Sequence, residues 1–218
     1  MKQDIVIFGA GGFGREVMWM LETANKKHKT WRILGFVDDT PAFQGTRIQK
    51  HRVCGTTTWL LSQKKPLNVL CCIGDSTARE KVVRTLTKNP HLRFPAFIAP
   101  GVICPPSLTI GNGSIICSSA VITVNVKIGA YVIINYHATV CHDAVIEDFA
   151  SLYPSVNISG FVHVGTSTHV GVGAQILPHM SVGSHTIIGA GAVVTKHIPS
   201  GCVAVGIPAK PMRQKKKT

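Results

Sequence analysis

The chain has 218 residues, of which 45% are hydrophobic, 15% charged and 6% aromatic, and 21 are glycine. This composition excludes a disordered chain and favours regular β layers of small aliphatic residues over a helical bundle. The net charge of +13 is typical of proteins with anionic partners, but basic and aromatic residues are not interleaved, so nucleic acid is not an expected partner.

The cysteine pattern and the termini predict a cytoplasmic protein. Seven cysteines include no C-x-x-C pair, and no segment is apolar for long enough to predict a signal peptide or a membrane span. The basic run Lys215–Lys217 is interpreted as a solvated tail, because short runs of like charge are usually solvated.

The N-terminal third begins with a glycine-rich turn between a strand and a helix. An apolar run over residues 5–8 precedes the glycines at 9, 11, 12 and 14, which fit G-x-G-x-x-G, and a helix is predicted from Arg15 to about Asn25. Glycine lets the backbone turn sharply and approach a phosphate, which the N-terminus of the helix stabilises. The pattern therefore predicts a nucleotide-binding loop, and a glycine-rich turn that binds nothing is the alternative.

A second strand, over residues 33–37, ends in two aspartates, Asp38 and Asp39. Carboxylates at the end of the second strand of such a sheet commonly accept hydrogen bonds from a ribose. The pair therefore strengthens the prediction of a nucleotide site.

A third apolar run, over residues 69–73, ends at Gly74, and a helix is predicted over residues 77–89 with Ser76 or Thr77 as its cap. Only about 95 residues precede the repeat described next. A dinucleotide fold needs two halves of this kind, so a mononucleotide is favoured over NAD. We predict an α/β, Rossmann-like domain over residues 1–94.

The C-terminal half is a six-residue repeat. From Ile98 to Val194 every sixth residue is aliphatic except Cys104, and in most units a small or aliphatic residue follows four positions later. Such a repeat is the signature of a parallel β-helix, in which three units make one coil and residues 18 apart stack. We predict this all-β fold, with five to six coils, over residues 95–218. Its flat faces predict a symmetric oligomer.

The glycine-rich start, the repeat and the closing segment Val205-Gly-Ile-Pro-Ala-Lys210 together resemble one family, the sialic acid O-acetyltransferases and UDP-bacillosamine N-acetyltransferases among the hexapeptide-repeat sugar acyltransferases. The resemblance covers nearly the whole chain. It implies a left-handed β-helix, a homotrimer and acetyl-CoA bound between adjacent subunits. The implied acceptor is a nucleotide-linked amino sugar or a sialic acid, held partly by the N-terminal domain.

The resemblance also implies site residues. The family's catalytic segment matches residues 135–149, with His142 as the base, the acid Asp143 beside it, and the backbone N–H of Gly160 as oxyanion donor. Implied contacts to acetyl-CoA are Ser151, Gly160, Val172 and Ala190, and those to the nucleotide-linked sugar are Gly11, Gly12, Phe13, Asp38, Asp39 and Gly74. In two places the chain departs from the pattern, since many members have histidine at Ser151 and the repeat usually has glycine at Glu147.

The chemistry and the register both favour His142 as the base. The acceptor must lose a proton as it attacks the thioester, and imidazole titrates near neutral pH. Gly160 lies 18 residues after His142, so the two should stack, and the missing side chain would leave room for the pantetheine arm.

Other arrangements compete with this interpretation. His137 is a rival base in a turn five residues earlier, and Cys141 beside His142 looks like a nucleophile–base pair, but neighbours along a strand point to opposite faces. His179 and His197 are 18 residues apart and should stack. No third ligand aligns with them, so no metal is predicted.

We therefore predict an acetyl-CoA-dependent N-acetyltransferase of surface glycan synthesis. It would act on a nucleotide-linked 4-amino-4,6-dideoxy sugar by direct attack on the thioester. Sialic acid O-acetylation is the alternative reaction, and a non-catalytic β-helix protein that binds nucleotide sugars is the alternative outside enzymes. The glycine-rich loop and the paired aspartates favour the nucleotide-linked acceptor, because free sialic acid has no phosphate.

Overall fold

The computed structural model describes residues 2–212 of the chain. The chain divides into two compact units, Met1–Ala99 and Pro100–Thr218, whereas the sequence pattern places the boundary after residue 94. The basic run Lys215–Lys217 lies outside the described residues. Among residues 2–212, no helix is both long and apolar enough to cross a membrane.

The N-terminal unit contains a four-stranded parallel sheet with the strand order β2 (Trp31–Val37), β1 (Gln3–Phe8), β5 (Leu67–Cys71) and β6 (Leu92–Arg93). Its elements are β1 (Gln3–Phe8), α1 (Gly12–His28), β2 (Trp31–Val37), a 3-10 helix (Pro41–Phe43), β3 (Arg47–Ile48), β4 (His51–Arg52), α2 (Thr57–Leu61), β5 (Leu67–Cys71), α3 (Ser76–Leu86), β6 (Leu92–Arg93) and β7 (Phe97–Ile98). Phe8 pairs with Val37 and with Cys71. The glycine-rich turn and the loops after β2 and β5 therefore meet at one edge of the sheet, as the α/β prediction requires.

Two helices of this unit differ from their predicted bounds. Helix α1 begins at Gly12, three residues before the predicted start, and ends at His28. Helix α3 is capped by Asp75, whose carboxylate accepts a 2.7 Å hydrogen bond from the N–H of Ala78. The predicted caps were wrong because Ser76 is already the first helical residue.

The C-terminal unit is a parallel β-helix of about six turns. Its strands are β8 (Thr109–Ile110), β9 (Ile115–Ile116), β10 (Val121–Ile122), β11 (Lys127–Ile128), β12 (Ile133–Ile134), β13 (Thr139–Val140), β14 (Val145–Ile146), β15 (Ser151–Leu152), β16 (Asn157–Ile158), β17 (His163–Val164), β18 (His169–Val170), β19 (Gln175–Ile176), β20 (Ser181–Val182), β21 (Ile187–Ile188), β22 (Val193–Val194), β23 (Val203–Val205) and β24 (Lys210–Met212). The predicted β-helix is confirmed.

Three sheets form the sides of the β-helix. The first face contains β10, β13, β16, β19 and β22, the second contains β8, β11, β14, β17 and β20, and the third runs from β9 through β12, β15, β18 and β21 to β23 and β24. Strands on one face pair at a spacing of 18 residues, as Val140 does with Ile158. The inward residues from Ile116 to Val194 are almost fully buried in one aliphatic core.

The corners between the faces depend on a left-handed backbone conformation. Every sixth residue from Ser119 to Gly191 has a positive φ, including Asp143 at 59° and His137 at 56°. Each of these residues turns the chain from one face to the next, so His137 and Asp143 both lie at corners. We name two corners by their residues, the His142 corner between the first and second faces and the Val172 corner between the third and first faces.

The repeat is less regular at its two ends than the sequence predicts. Ile98, the first predicted inward residue, is 40% exposed. After Val194, Ile198 pairs with Val182, so the sequence spacing between paired residues is 16 there and not 18. His197 is consequently aligned with Ser181, and the predicted stacking of His179 on His197 was wrong.

Candidate active site

A histidine and a carboxylate form a hydrogen-bonded pair at the His142 corner. Nδ1 of His142 lies 2.9 Å from Oδ2 of Asp143, and Oδ1 of Asp143 accepts a 3.1 Å hydrogen bond from the side-chain amide of Asn125. The hydrogen bond with His142, and secondarily that with Asn125, holds the pKa of Asp143 below its usual range. A charged carboxylate at Nδ1 favours the tautomer in which Nε2 carries the lone pair. The His142 side chain is 51% exposed, so a ligand can reach it.

The corner geometry explains how two consecutive residues can pair. On a regular strand, side chains at 142 and 143 would point to opposite faces. The left-handed conformation of Asp143 turns the chain between them. Asn125, one coil earlier in register, has the same conformation with φ 59°, and its amide orients the carboxylate from the other side.

The His142 ring lies directly over Gly160 on the next coil. A Cβ on Gly160 would lie 2.5 Å from Cε1 and 2.6 Å from Nε2 of the ring. The predicted stacking is therefore observed, but the expected open space above the glycine is filled by the imidazole itself. Gly160 is buried, and among residues 2–212 its N–H donates no hydrogen bond.

An open groove extends from Asp143 across the second face of the β-helix. It has a volume of about 520 Å³ and is lined by Ser107, Thr109, Asn125, Val126, Lys127, Asp143 and Val145. A second groove continues along this face to Glu147 and Thr166 and shares Lys127 and Val145 with the first. The face beside the His142–Asp143 pair therefore has room for a polar ligand.

A second histidine–carboxylate pair lies on the same face and has a different environment. Oε1 of Glu147 is 2.8 Å from Nε2 of His163, and Oε2 accepts hydrogen bonds of 2.8 Å from both the N–H and the hydroxyl of Thr166. Partial burial raises the pKa of Glu147, but these hydrogen bonds outweigh it and hold the pKa below its usual range. Glu147 thus links two neighbouring coils.

An aromatic side chain borders the pair on the side of the later coils. Phe161 meets the His142 ring edge-on at 5.3 Å and stacks on His179 at 4.9 Å. Neither Phe161 nor Asn125 was among the predicted site residues. The 18-residue register would have found them, because residues 125, 143 and 161 occupy the same position in successive coils.

The residues expected to contact acetyl-CoA lie in separate places within one chain. Val172, which is 50% exposed, and Ala190 occupy successive coils of the Val172 corner, and not the corner that holds His142 and Gly160. Ser151 lies in β15 on the third face and is 3% exposed. These residues therefore do not line one groove of a single β-helix.

Three glycines expected to contact the nucleotide sugar are open on their outer side. A Cβ at Gly11, Gly12 or Gly74 would meet no atom within 4 Å, so packing within the chain does not require glycine there. At Gly14, by contrast, a Cβ would lie 1.8 Å from the carbonyl oxygen of Gly9. No described side chain caps the N-terminus of α1, whose first N–H groups can bind an anion.

The two aspartates after β2 have structural partners that the sequence pattern did not indicate. Asp38 accepts hydrogen bonds from the N–H groups of Ala10 and Thr40, at 2.7 and 2.8 Å. Asp39 accepts two bonds of 2.6 Å from Thr57, one from its N–H and one from its hydroxyl. Asp38 therefore holds the glycine-rich turn in place. Phe13, the remaining expected contact, is half-buried in the first turn of α1.

The rival arrangements differ from the His142–Asp143 pair. His137 is exposed at the Val172 corner, and its ring makes no hydrogen bond among residues 2–212. The polar partner of His142 is Asp143 and not Cys141. Within the described part of the chain, no three His, Cys, Asp or Glu residues form a group that could hold a metal ion. His197 is bonded to the hydroxyl of Ser181 at 2.9 Å.

The chain is similar in sequence to enzymes that acetylate nucleotide-linked sugars. The PglD N-terminal domain family matches residues 4–86. GDP-perosamine N-acetyltransferase from Escherichia coli O157:H7 is 32% identical over 174 residues, which cover 78% of this chain and 76% of that protein.

Solved structures extend the similarity over both units. The acetyltransferase domain of PglB from Neisseria gonorrhoeae, in complex with acetyl coenzyme A, is 30% identical with a TM-score of 0.89 and covers 97% of this chain and 100% of that one. Perosamine N-acetyltransferase from Caulobacter crescentus, as a variant in complex with CoA and GDP-perosamine, is 29% identical with a TM-score of 0.88, and 97% of each chain is covered. The predicted left-handed β-helix fold is thereby confirmed.

Proposed function

Because the chain belongs to the family of hexapeptide-repeat sugar acyltransferases, we propose that it transfers the acetyl group of acetyl-CoA to the amino group of a nucleotide-linked 4-amino-4,6-dideoxy sugar. The chain is an acetyltransferase. Two of its relatives are named for GDP-perosamine or perosamine, which supports an amino acceptor over the hydroxyl of a sialic acid. A role in the synthesis of surface glycans belongs to the same proposal.

The observation that carries the proposal is the paired geometry of His142 and Asp143. Nδ1 of His142 faces a carboxylate at 2.9 Å, and the opposite ring nitrogen is left to accept a proton. This is the arrangement that a general base needs when it acts on a group bound in front of it. Direct transfer between the two substrates needs no nucleophile from the protein.

In the proposed reaction the neutral amine of the sugar attacks the thioester carbonyl carbon. As the C–N bond forms, Nε2 of His142 takes a proton from the nitrogen, and the carbonyl oxygen becomes an oxyanion. The C–S bond then breaks, and the imidazolium returns its proton to the sulfur of CoA. Asp143 stabilises the imidazolium between the two steps.

We place the oxyanion against the backbone N–H of Gly160. That N–H donates no hydrogen bond among the described residues, and the His142 ring already packs on the same residue. A preorganised backbone donor of this kind contributes roughly 10²–10³ in rate. The acetyl group enters beside the imidazole in this arrangement, since the space directly above the glycine is filled by the His142 ring.

The separate positions of the expected acetyl-CoA contacts support a homotrimer as part of the proposal. Val172 and Ala190 lie at a different corner from His142, so an adjacent copy of the chain would have to bring its Val172 corner to the His142 corner to complete the cofactor site. Apolar side chains at the surface, including Phe161 and Val172 at 52% and 50% exposure, are suited to contact between copies. Ser151, at 3% exposure, is buried within a single chain. Light scattering of the active enzyme should give the mass of three chains, and an active monomer would contradict the trimer.

The N-terminal unit is proposed to bind the nucleotide part of an acceptor. The open outer sides of Gly11, Gly12 and Gly74 permit close approach of a ligand to the backbone, and the N-terminus of α1 can face a phosphate. Phe13, Asp38 and Asp39 stay in the proposed set, with Asp38 also holding the turn. A cytoplasmic location is proposed as well, because acetyl-CoA and nucleotide sugars are cytoplasmic metabolites.

A substrate panel tests the reaction. The enzyme is incubated with acetyl-CoA and, in turn, with GDP-, UDP- and dTDP-linked 4-amino-4,6-dideoxyhexoses and with free sialic acid, and release of the CoA thiol is followed. Thiol release with a nucleotide-linked amino sugar, accompanied by an acetylated amine in the mass spectrum of the product, is the expected result. Turnover of sialic acid alone, or of none of the panel, would overturn the proposal.

A further inference from the structure

Lys127 is the one strongly basic side chain in a long stretch of the repeat. The sequence contains no lysine or arginine between Arg93 and Lys196 except Lys127, although the chain as a whole has a net charge of +13. The solitary cation lies in the groove beside the His142–Asp143 pair. Its charge is therefore placed where the reaction is proposed to occur.

The Lys127 side chain is exposed and has no partner within the part of the chain that the structure describes. Among residues 2–212 its ammonium takes part in no ion pair and no hydrogen bond, and it stands on the outer side of β11. The nearby carboxylates are occupied, since Asp143 bonds with His142 and Asn125, and Glu147 bonds with His163 and Thr166. Among the described residues, Lys127 is therefore not a structural ion-pair partner.

The position of Lys127 is suited to bind an anionic group of the acceptor that lies at a fixed distance from the acceptor's reacting nitrogen. Lys127 pairs with Val145 on the neighbouring strand, and Val145 follows Asp143 by two residues. Adjacent strands are about 4.8 Å apart and residues along a strand about 3.3 Å apart, so the backbone of Lys127 lies close to that of Asp143. A lysine side chain together with one sugar ring is long enough to span the distance from Lys127 to the His142–Asp143 pair. In a 4-amino sugar nucleotide, the amine and the anomeric oxygen that carries the phosphate stand at opposite ends of the ring.

From this we propose that Lys127 binds the sugar-linked phosphate of the acceptor and so positions the amino group at His142. The inference rests on the proposed function and adds to it a residue that selects nucleotide-linked over free amino sugars. The alternative anion for Lys127 is a phosphate of CoA. The acceptor is favoured because its phosphate lies one sugar ring from the reacting amine, whereas the long pantetheine arm separates the phosphates of CoA from the thioester.

The test uses Lys127→Met, which keeps the length of the side chain and removes the charge, and Lys127→Arg, which keeps the charge. Lys64→Met, at an exposed position in the N-terminal unit, is the control. Binding of GDP-perosamine is measured by calorimetry without acetyl-CoA, and KM is measured separately for each substrate. A lost charged hydrogen bond weakens binding about 10- to 100-fold. We expect that loss for GDP-perosamine in Lys127→Met, with KM for acetyl-CoA unchanged, and near-normal affinity in Lys127→Arg.

Two results would overturn the assignment of Lys127. Unchanged affinity of Lys127→Met for GDP-perosamine would remove its role, and a raised KM for acetyl-CoA alone would assign the phosphate to CoA. An unchanged melting temperature shows that the variant is folded. If the wild-type enzyme acetylates a nucleotide-linked amino sugar and Lys127→Met does so equally well, only this inference fails. If the wild-type enzyme acetylates none, the proposed function fails with it.

Discussion

The imidazole of His142 packs against the backbone of Gly160, with a distance of only 2.5 Å between the ring and the place where a Cβ would be. The glycine is therefore required by the ring above it and not by its own backbone, since its φ is not in the left-handed region. Because residues 18 apart stack in this β-helix, the coil that follows His142 provides the surface on which its imidazole packs.

Gly160→Ala tests the packing of the His142 ring on Gly160. The added methyl group must push the imidazole aside, and a displacement of about 1 Å can lower turnover about 10²-fold. We expect a loss of that order in kcat, with most of the thermal stability retained because the ring is half-exposed. Gly201→Ala, which strains a backbone with φ of +71° but meets no atom within 4 Å, is the control for a general loss of stability. Wild-type kcat in Gly160→Ala would contradict the packing argument.

Gly12→Val tests whether the glycine-rich loop binds the nucleotide. A Cβ at position 12 would meet no described atom within 4 Å, so the melting temperature should change little, while a bound ligand would be obstructed. We expect affinity for GDP to fall about tenfold or more, equivalent to about 1.4 kcal/mol, in calorimetric titrations. Equal GDP affinity of the variant and the wild type would count against a nucleotide site at this loop.

Gly14→Ala provides the contrast to that experiment. Its Cβ would lie 1.8 Å from the carbonyl oxygen of Gly9, so the turn itself must distort. Overpacking of this kind costs about 1–3 kcal/mol or more, and thermal unfolding should detect it. The two glycines of one motif are thus expected to differ, one affecting binding and the other folding.

Glu147→Gln tests the link between coils on the second face. The pKa of Glu147 is lowered from 4.5 in the folded chain, so its ionised form stabilises the fold above the unfolded pKa, and that contribution is lost as the pH falls through the folded value. The wild type should melt at a higher temperature than the variant near neutral pH, and the difference should vanish in acid. Glu16→Gln, at an exposed position on α1, is the control for the effect of the substitution itself. A difference that persists in acid would contradict an electrostatic origin.

The six-residue repeat predicts the β-helix well because one physical requirement, an aliphatic residue facing the core, recurs in every unit. The corner residues follow from the same register, and Asn125 and Phe161 could have been placed beside Asp143 on that basis. The predicted register is wrong where the coil becomes shorter, because a count in sixes assumes that every coil has the same length. His197 therefore aligns with Ser181 and not with His179.

Local side-chain competition explains most of what the sequence analysis missed in the N-terminal unit. Asp75, Ser76 and Thr77 are all suitable caps, and only the structure shows that the carboxylate of Asp75 reaches the N–H of Ala78. Likewise, the pattern after β2 indicates a nucleotide contact for Asp38 and Asp39 but does not predict their bonds to Ala10 and Thr57. The isolation of Lys127 is visible in the sequence, because the repeat contains no other lysine or arginine between Arg93 and Lys196. The function of Lys127 is suggested only by the groove in which the structure places it.

The most direct test of the account is the turnover of His142→Ala beside that of His137→Ala, with acetyl-CoA and a nucleotide-linked 4-amino sugar. Loss of a general base typically lowers kcat about 10²–10⁴-fold, so we expect that loss in His142→Ala, with unchanged affinity for acetyl-CoA, and near-normal kcat in His137→Ala. Near-normal turnover in His142→Ala, or a loss confined to His137→Ala, would contradict the account.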